Sequence, residues 1–381
     1  MKKNKKVVLV ITGTRAEYGL LKSSMVELSK SLVLEMRLLV TGMHTLKKYG
    51  ETINDIRQDK RAIDAVVPIA VNDTMSTALA KEIEGIEAYC LKNKPDAMLV
   101  LGDRDEPFAA AIVAGHLGIP LAHIHGGDIT AGVVDDAIRS AITKFAHLHF
   151  AVSKRSSQNI KKIGEEAWRI HTVGAPGIDD LASMEYFSRQ ELAEQLRLDP
   201  QQKWFLLLQH SAPLDAVSVD KQIKPTLAAL KSFIGEKIAI YPNTDTGSAI
   251  IIGEFKAREK QNDWHVFPNV HRKVYLSLLK YADVLVGNSS SGIIESTFFH
   301  RPVINIGRRQ EGRECGKNVM HVGYDEKEIK KALTLALTPA FQKKARAAVH
   351  PYGQGKAGKQ IVRILEKELF NPRLQPKKYV A

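Results

Sequence analysis

The segment Gly-Asn-Ser-Ser-Ser-Gly at residues 287–292 has the residue types that bind an anion. It follows the apolar residues 282–286 and precedes Ile293, Ile294 and Glu295, a pattern that indicates a strand, a tight turn and the start of a helix. Backbone N–H groups at such a turn point outward at the positive end of the helix, and the serine hydroxyls add donors. Glu295, one turn in, could accept hydrogen bonds from sugar hydroxyls. The alternative is a serine that caps a helix in a polar loop.

Chargeable side chains come directly after several other apolar runs. Asp103 and Arg104 follow one run, and His125 follows the next. His210 ends a run in the second half of the chain. Such residues could supply acid, base and cationic groups to a bound molecule. Each also has a structural alternative, because Asp103 could form a turn and either histidine could be a hydrogen-bonded loop residue.

Two aspartates and an arginine begin one predicted helix. Asp135 and Arg139 are four residues apart and share a face, with Asp136 beside them. The same spacing is typical of a structural ion pair. The sequence has no Gly-x-Gly-x-x-Gly after the first apolar run, no Walker A motif, no Gly-x-Ser-x-Gly and no typical zinc spacing. We therefore expect no dinucleotide or other cofactor and no catalytic metal.

Apolar runs alternate with helical patterns in two successive sets. The first set has predicted strands at residues 7–12, 34–41, 66–69, 97–101, 120–124, 148–152 and 170–173, with helices at 76–91, 109–117 and 136–146. The second set has predicted strands at residues 204–209, 237–241, 264–267, 284–286 and 302–306. This alternation predicts parallel, doubly wound sheets, which bind ligands off the carboxyl ends of their strands. We predict an α/β protein with two Rossmann-like domains facing a cleft, at residues 1–174 and 175–356, and a C-terminal helix at about 357–381 that could pack back on the first domain.

The composition favours an ordinary soluble protein, because 44% of the residues are hydrophobic and 25% are charged. No apolar run reaches the roughly 18 residues that a membrane span needs, and the lysine-rich N-terminus leads into a predicted strand rather than a signal-peptide cleavage site. Cys90 and Cys315 are too few for a disulfide framework, which favours the cytoplasm. The net charge of +13 is spread out and no nucleic-acid-binding signature is present, so we expect neither a nucleic acid nor a membrane as partner. The charge suits a binder of anionic small molecules.

Seven short motifs occur in an order that resembles one known family. They are Thr-Gly-Thr-Arg-Ala-Glu-Tyr-Gly at 12–19, Gly-Asp-Arg at 102–104, His-Ile-His-Gly-Gly-Asp at 123–128, Asp-Asp-Ala-Ile-Arg at 135–139, Gln-His at 209–210, Asn-Thr-Asp-Thr-Gly-Ser at 243–248 and the serine-rich segment at 287–292. Together they resemble the hydrolysing UDP-N-acetylglucosamine 2-epimerases of bacterial sialic-acid biosynthesis, over about residues 7–350. Each motif alone is weak evidence for this family, whereas the seven motifs in this order are specific to it. Ala16 also fits, because the similar non-hydrolysing epimerases usually carry proline after the preceding arginine.

The resemblance implies a glycosyltransferase-B-like fold and a reaction that needs no redox cofactor. A base removes the C2 proton of the sugar as UDP leaves C1, and water then adds to the 2-acetamidoglucal. Reprotonation of C2 on the other face gives N-acetylmannosamine. The implied ligand is a UDP-linked sugar, and the family's relatives suggest a homodimer or homotetramer.

The resemblance also implies roles for individual residues. The catalytic positions are Asp103, His125, Asp135, Arg139 and His210. The substrate-binding positions are Arg15, Arg104, Asp136, Val270, His271, Asn288, Ser289, Ser290, Ser291, Glu295 and Arg309. Of these, the diphosphate would be held by Arg15, Ser289, Ser290 and Arg309, the ribose by Glu295, and uracil by backbone atoms around Val270.

Two positions depart from the family pattern. His125 stands where animal hydrolysing enzymes and non-hydrolysing relatives carry Glu, although bacterial hydrolysing members can carry His, and Asp128 stands where Glu is common. The sequence leaves the C2 base open, because a histidine titrates near neutrality and an aspartate is a weaker base in an ordinary environment. Other functions also stay open: the same reaction on UDP- or GDP-N,N′-diacetylbacillosamine, a non-hydrolysing epimerase, a glycosyltransferase, or a non-catalytic nucleotide-sugar sensor.

Overall fold

The chain divides into two compact units. The computed structural model describes residues 5–47, 51–129, 134–212, 215–242 and 247–378, without the side chains of Val134 and Asp135. Unit 1 comprises Met1–Ala182 and Tyr352–Ala381, and unit 2 comprises Ser183–Pro351. The first division therefore falls a few residues after the predicted boundary at 174/175, and the second falls a few residues before the one at 356/357.

Unit 1 is built on a parallel sheet with the strand order β3-β2-β1-β4-β5-β6-β7. Its strands are β1 (Lys6–Thr12), β2 (Leu34–Val40), β3 (Ala65–Val66), β4 (Ala97–Leu101), β5 (Leu121–Ile124), β6 (Leu148–Ala151) and β7 (Ile170–Thr172). Side chains on both faces of β1 and β4 are buried, as their continuous apolar runs predict. The strand order reverses between β1 and β4, so the exits of β1, β4 and β5 lie at the edge where such sheets bind ligands.

The helices of unit 1 are α1 (Arg15–Lys30), α2 (Ile53–Gln58), α3 (Met75–Asn93), α4 (Asp105–Leu117), α5 (Val134–Phe145), α6 (Lys154–Lys162), α7 (Gly177–Ser183, ending at the division) and α15 (Ala357–Glu368). Hydroxyl caps begin several of them; Thr14, for example, accepts the Glu17 N–H at 3.2 Å at the start of α1. Helix α15 shares a hydrophobic core with α1. The Asp179 carboxylate accepts the first N–H groups of α15, from Ala357 at 2.8 Å and Gly358 at 2.6 Å, which ties residues after 174 to unit 1.

Unit 2 repeats the architecture with a parallel sheet of order β10-β9-β8-β11-β12-β13. Its strands are β8 (Trp204–Leu208), β9 (Glu236–Ile240), β10 (Trp264–Phe267), β11 (Val284–Gly287), β12 (Val303–Ile306) and β13 (Val319–Val322). Its helices are α8 (Arg189–Leu196), α9 (Val219–Lys231), α10 (Ser248–Lys256), α11 (Arg272–Tyr281), α12 (Glu295–Phe298), α13 (Glu326–Ala336) and α14 (Pro339–Arg346). The strand order reverses between β8 and β11, so their exits lie together. Within the described ranges, no helix is both long and apolar enough to cross a membrane.

Two strands differ from the sequence prediction. Strand β3 has only two residues, and the edge strand β13, of sequence Val-Met-His-Val, was missed because it has no long apolar run. The helix predicted to start after the serine-rich segment is present but short: a 3-10 turn at Ser290–Gly292 precedes the four-residue α12. The dipole of α12 is correspondingly small, so an anion bound there would depend on backbone N–H groups and hydroxyls.

Candidate active site

Asp103 lies in the turn between β4 and α4, at the carboxyl edge of the unit 1 sheet. Gly102 begins this turn with φ 88°, which glycine adopts without steric cost. On β5, His123 has its Nε2 2.7 Å from the Gly102 carbonyl oxygen and its Nδ1 3.2 Å from the Thr143 hydroxyl. Burial lowers the pKa of His123 to about 3, so the ring is neutral and donates to that carbonyl. His123 therefore fixes the backbone that carries Asp103.

Arg139, on α5, connects this turn to the exit of β5. Its buried guanidinium pairs with the carboxylates of Asp103 and Asp136, the latter at 2.6 Å. It also donates to the Asp128 carbonyl oxygen at 2.6 Å. A planar guanidinium presents five donors in a fixed fork and can hold several acceptors at once. The side chain of Asp135, the residue predicted to share a face with Arg139, lies outside the described residues.

His125 follows β5 in a left-handed conformation with φ 68°. A non-glycine residue rarely adopts this conformation, which costs of order 1–3 kcal/mol. Its Nδ1 lies 2.9 Å from Asp128 Oδ2, and its Nε2 is buried with no hydrogen-bond partner among the described residues. Gly127 allows the loop to approach α6, because a Cβ there would lie 2.2 Å from the Ser156 carbonyl oxygen. Of the two ring nitrogens, Nδ1 is therefore engaged by Asp128, and Nε2 has no partner among the described residues.

The Asp128 carboxylate is held at both oxygens. Oδ2 faces His125, and Oδ1 accepts the Ser156 hydroxyl at 2.5 Å. Burial by itself would raise the pKa of Asp128, but the hydrogen bonds from His125 and Ser156 outweigh that effect and hold the pKa below its usual value. The carboxylate is therefore ionised at neutral pH.

The predicted arginine ligands of unit 1 lie near the same edge. Arg15 is the first residue of α1, and its exposed side chain pairs with Asp55 at 3.2 Å. Arg104 is half exposed, with its Nε 3.4 Å from Glu106 Oε2. Substrate contacts of both residues stay predictions.

Three buried glutamates lie near the exits of β1 and β2. Glu17 accepts the Gly13 N–H at 2.9 Å, and a Cβ added to Gly13 would lie 2.2 Å from Glu106 Cγ. Burial raises the pKa of Glu17, Glu106 and Glu82, for Glu82 to about 8. The negative field of Glu106 adds to this effect at Glu17 and Glu82. Closely spaced carboxyls of this kind retain protons that isolated ones would lose.

In unit 2, Asn288 clamps the backbone of His210. The Asn288 amide accepts the His210 N–H at 2.7 Å and donates to the His210 carbonyl at 2.8 Å. Its own carbonyl accepts the Gln310 amide at 2.9 Å and a guanidinium N–H of Arg309 at 3.4 Å. Asn288 is fully buried; its side chain joins the exits of β8 and β11, and its backbone carbonyl joins them to the exit of β12. The substrate contact predicted for Asn288 stays a prediction.

The serines after β11 form a compact turn. Ser289 caps the 3-10 turn, and its hydroxyl accepts the Ser291 N–H at 3.3 Å. The Ser291 hydroxyl hydrogen-bonds the Tyr275 hydroxyl of α11. Ser290 is less buried than either neighbouring serine. Glu295 begins α12, and burial raises its pKa against the opposing charges of nearby arginines.

The remaining predicted ligands are distributed as follows. His271 caps α11, with its Nδ1 accepting the Lys273 N–H at 3.3 Å, and Val270 packs against the hydrophobic core. Residues 243–246, which belong to one of the seven motifs, lie outside the described residues. The structure thus groups Asp103, His125, Asp136 and Arg139 at one sheet edge in unit 1. It groups His210, the serine turn and Arg309 at one sheet edge in unit 2.

Sequence reasoning gave no supporting role to several residues that hold these groups. They are His123, Ser156, Tyr275 and Gln310. Asp128 was noted as a departure from the family pattern, but its contact with His125 was not predicted. The other contacts join distant parts of the chain and leave no local pattern.

Comparison with known proteins gives three findings. A model of the family described as UDP-N-acetylglucosamine 2-epimerase matches residues 26–366. The chain is 34% identical to UDP-N,N′-diacetylbacillosamine 2-epimerase (hydrolyzing) of Legionella pneumophila, over 94% of this chain and 95% of that protein. It is 33% identical to polysialic acid biosynthesis protein P7 of Escherichia coli, over 95% and 94% respectively.

A solved structure supports the fold. The UDP-GlcNAc 2-epimerase of Neisseria meningitidis bound to UDP-GlcNAc matches with a TM-score of 0.79 at 19% identity, covering 95% of this chain and 100% of that one. This likeness and the two parallel sheets confirm the predicted α/β fold with two Rossmann-like domains of the glycosyltransferase-B type.

Proposed function

Because this chain belongs to the UDP-N-acetylglucosamine 2-epimerase family, we propose that it is a hydrolysing 2-epimerase that releases UDP and N-acetylmannosamine from UDP-N-acetylglucosamine. The product would supply the synthesis of sialic-acid-type sugars. Two relatives support this choice: one is named as hydrolysing, and the other is named for polysialic acid biosynthesis. Ala16, in place of the proline usual in non-hydrolysing enzymes, points the same way.

The observation that carries the proposal is the network of Asp103, Arg139, Asp128 and His125 in unit 1. The reaction requires a base near C2 of the sugar and a second proton donor. In the first step the C2–H bond breaks, and its electron pair forms the C1–C2 double bond of the glycal. UDP leaves with the electron pair of the C1–O bond. Water then supplies hydroxyl to C1, and a proton reaches C2 from the opposite face.

Unit 2 would bind the nucleotide. The diphosphate would be held by Ser289, Ser290 and Arg309, whose hydroxyl, backbone and guanidinium donors suit phosphate oxygens. Glu295 would accept the ribose hydroxyls, and backbone atoms near Val270 would meet uracil. Charge neutralisation by Arg309, together with Arg15, makes UDP a better leaving group, because negative charge develops on its terminal phosphate as the C1–O bond breaks.

A second substrate is favoured by one specific observation. The Legionella relative, 34% identical, is named for UDP-N,N′-diacetylbacillosamine. That sugar carries the same 2-acetamido group and the same UDP leaving group, so the bonds made and broken would be identical. The two substrates differ at C4 and C6, so the residues that contact these two positions would determine which sugar is accepted.

The test is incubation of the purified protein with each UDP-sugar, followed by ¹H and ³¹P NMR. We expect free UDP and the free 2-epimerised sugar from at least one substrate. UDP-N-acetylmannosamine without free UDP would identify a non-hydrolysing epimerase, and no conversion of either substrate by folded protein would contradict the proposal. A parallel incubation with Asp103→Asn controls for contaminating phosphohydrolases.

A further inference from the structure

We propose that Asp128, supported by Ser156, is a positioning residue that keeps the proton of neutral His125 on Nδ1, so that Nε2 removes the C2 proton. The inference rests on the proposed 2-epimerase reaction. To that reaction it assigns His125 as the base, which the sequence left open, and Asp128 as the residue that orients the base.

The hydrogen bond between His125 and Asp128 determines where the imidazole carries its proton. His125 Nδ1 lies 2.9 Å from Asp128 Oδ2. An ionised carboxylate can only accept, so Nδ1 must be the donor and Nε2 keeps its lone pair. Carboxylate–histidine pairs in hydrolases fix the imidazole tautomer in the same way.

The second contact prevents the carboxylate from turning away. Asp128 Oδ1 accepts the Ser156 hydroxyl at 2.5 Å. Ser156 is itself fixed in the first turn of α6, where its N–H donates to Ser153 Oγ at 3.1 Å. Arg139 holds the Asp128 backbone by its carbonyl oxygen at 2.6 Å. The orientation of His125 is thus determined by two helices as well as by its own loop.

Two features of His125 favour a role for its Nε2 in the reaction: the missing partner of this nitrogen and the strained backbone. Nε2 is buried and has no hydrogen-bond partner among the described residues, and a buried polar atom without a partner destabilises the folded state. The left-handed backbone of His125 adds strain. Neither feature stabilises the fold, so both are better explained by the reaction. Asp103, another candidate base, already has a carboxylate oxygen engaged by Arg139.

Two substitutions of Asp128 separate the positioning role from a structural one. In Asp128→Asn the amide can donate to Nδ1 and move the imidazole proton to Nε2, so we expect kcat to fall about 100-fold or more with KM little changed. Asp128→Glu keeps a carboxylate acceptor and should stay within about tenfold of the wild type, by the same reasoning. Asp220→Asn, at an exposed helix start in unit 2, is the matched control and should leave kcat unchanged. Equal losses in the Asn and Glu variants, or no loss in the Asn variant, would overturn the proposal.

A spectroscopic measurement tests the tautomer without any turnover. The imidazole nitrogens of ¹⁵N-histidine-labelled protein distinguish a protonated from an unprotonated site, and His125→Asn identifies the His125 signals. We expect a proton on Nδ1 in the wild type and on Nε2 in Asp128→Asn. A wild-type proton on Nε2 would overturn the proposal, whereas the expected tautomer without turnover of any UDP-sugar would contradict only the proposed function.

Ser156→Ala provides a milder variant in case Asp128→Asn does not fold. It removes one hydrogen bond worth about 1 kcal/mol, so kcat should fall about fivefold while the proton stays on Nδ1. An unchanged kcat would show that Ser156 does not support Asp128.

Discussion

Arg139 and Asp103 form the contact that joins two strand exits in unit 1. Asp103 comes from the β4 exit, whereas Arg139 lies on the helix that follows β5. The guanidinium also holds Asp136 and the Asp128 carbonyl, so it fixes the acidic group and the histidine loop together. Loss of charge at Asp103 should therefore affect the chemistry more than nucleotide binding, which we assign to unit 2.

Asp103→Asn tests this division of roles. The amide oxygen can still accept from Arg139, but the carboxylate charge is lost, so turnover should fall about 100-fold or more. The dissociation constant for UDP should stay within about a factor of two, because the proposed UDP contacts lie in unit 2 and are not changed by this substitution. Steady-state kinetics and UDP calorimetry measure the two quantities. Asp105→Asn, two residues further along, is the control, and unaltered turnover in Asp103→Asn would remove this residue from the mechanism.

Asn288→Asp tests the clamp on His210. The carboxylate can accept the His210 N–H but would face the His210 carbonyl oxygen, where the native amide donates at 2.8 Å. We expect a loss of about 1–3 kcal/mol in the free energy of unfolding, together with lower turnover as His210 shifts. Chemical denaturation and steady-state kinetics measure the two effects. Stability equal to that of the wild type would contradict the clamp.

Glu82→Gln tests the buried glutamates through the pH dependence of stability. Glu82 accepts the Thr41 hydroxyl at 3.3 Å, and burial raises its pKa to about 8. The folded state then keeps a proton that the unfolded state loses above about pH 4.5, so the wild type loses stability as the pH rises from about 4.5 to 8. Each pKa unit corresponds to about 1.4 kcal/mol, so the variant should gain a few kcal/mol over the wild type at pH 8–9.

Thermal unfolding at pH 5 and pH 9 provides the measurement for Glu82→Gln. The difference between variant and wild type should be larger at pH 9, since glutamine carries no charge at either pH. Glu259→Gln, at an exposed position, should show no such dependence. An equal difference at both pH values would mean that Glu82 is not protonated in the folded protein at neutral pH.

At the residue scale, the sequence indicated which side chains are candidates for catalysis or binding, but it did not indicate which of them contact one another. Asp103 and Arg139 meet only because β4 and β5 are neighbours in the sheet, and no spacing along the chain encodes that contact. The expected pairing of Asp135 with Arg139 came from helical periodicity alone. The His125–Asp128 bond is local, but it depends on the left-handed conformation of a histidine, which sequence patterns do not predict.

At the element scale, the exits of β11 and β12 bring the predicted diphosphate ligands together. The carbonyl of Asn288, after β11, accepts from Arg309, after β12. Because the turn after β11 is not followed by a long helix, phosphate binding should depend strongly on side-chain charge.

Arg309→Ala should therefore weaken UDP binding. Loss of a charge-assisted contact worth about 1.5–3 kcal/mol predicts a dissociation constant at least about tenfold higher, measured by calorimetry. Arg308→Ala is a matched control, because that exposed neighbour pairs with Glu311 at 2.7 Å. The assignment of Arg309 fails if the two variants bind UDP equally well.

Long apolar runs made most strands predictable. The predicted residues 7–12 and 97–101 agree with β1 and β4 to within one residue, because β-branched and aliphatic runs buried on both faces leave little ambiguity. Edge strands are less apolar, which explains the missed β13 and the overlong prediction for β3.

At the scale of the whole molecule, the repeated architecture distributes the candidate residues over two units. Each unit has one parallel sheet, and its candidate residues lie where the strand order reverses. In unit 1 these residues are Asp103, Asp136, His125 and Arg139, and in unit 2 they are His210, the serines after β11 and Arg309. Alternating patterns in the sequence predicted both sheets. The return of α15 to unit 1 depends on a cap by Asp179 and on packing against α1, which link distant parts of the chain.

Turnover in deuterated water tests most directly whether the proton at C2 is removed. The protein would be incubated with whichever UDP-sugar it converts, and the released sugar would be analysed by ¹H NMR and mass spectrometry. Removal of the C2 proton as UDP departs, followed by reprotonation from solvent, predicts one deuterium at C2 of the product. Release of UDP and a 2-epimerised sugar that retains protium at C2 would contradict this account.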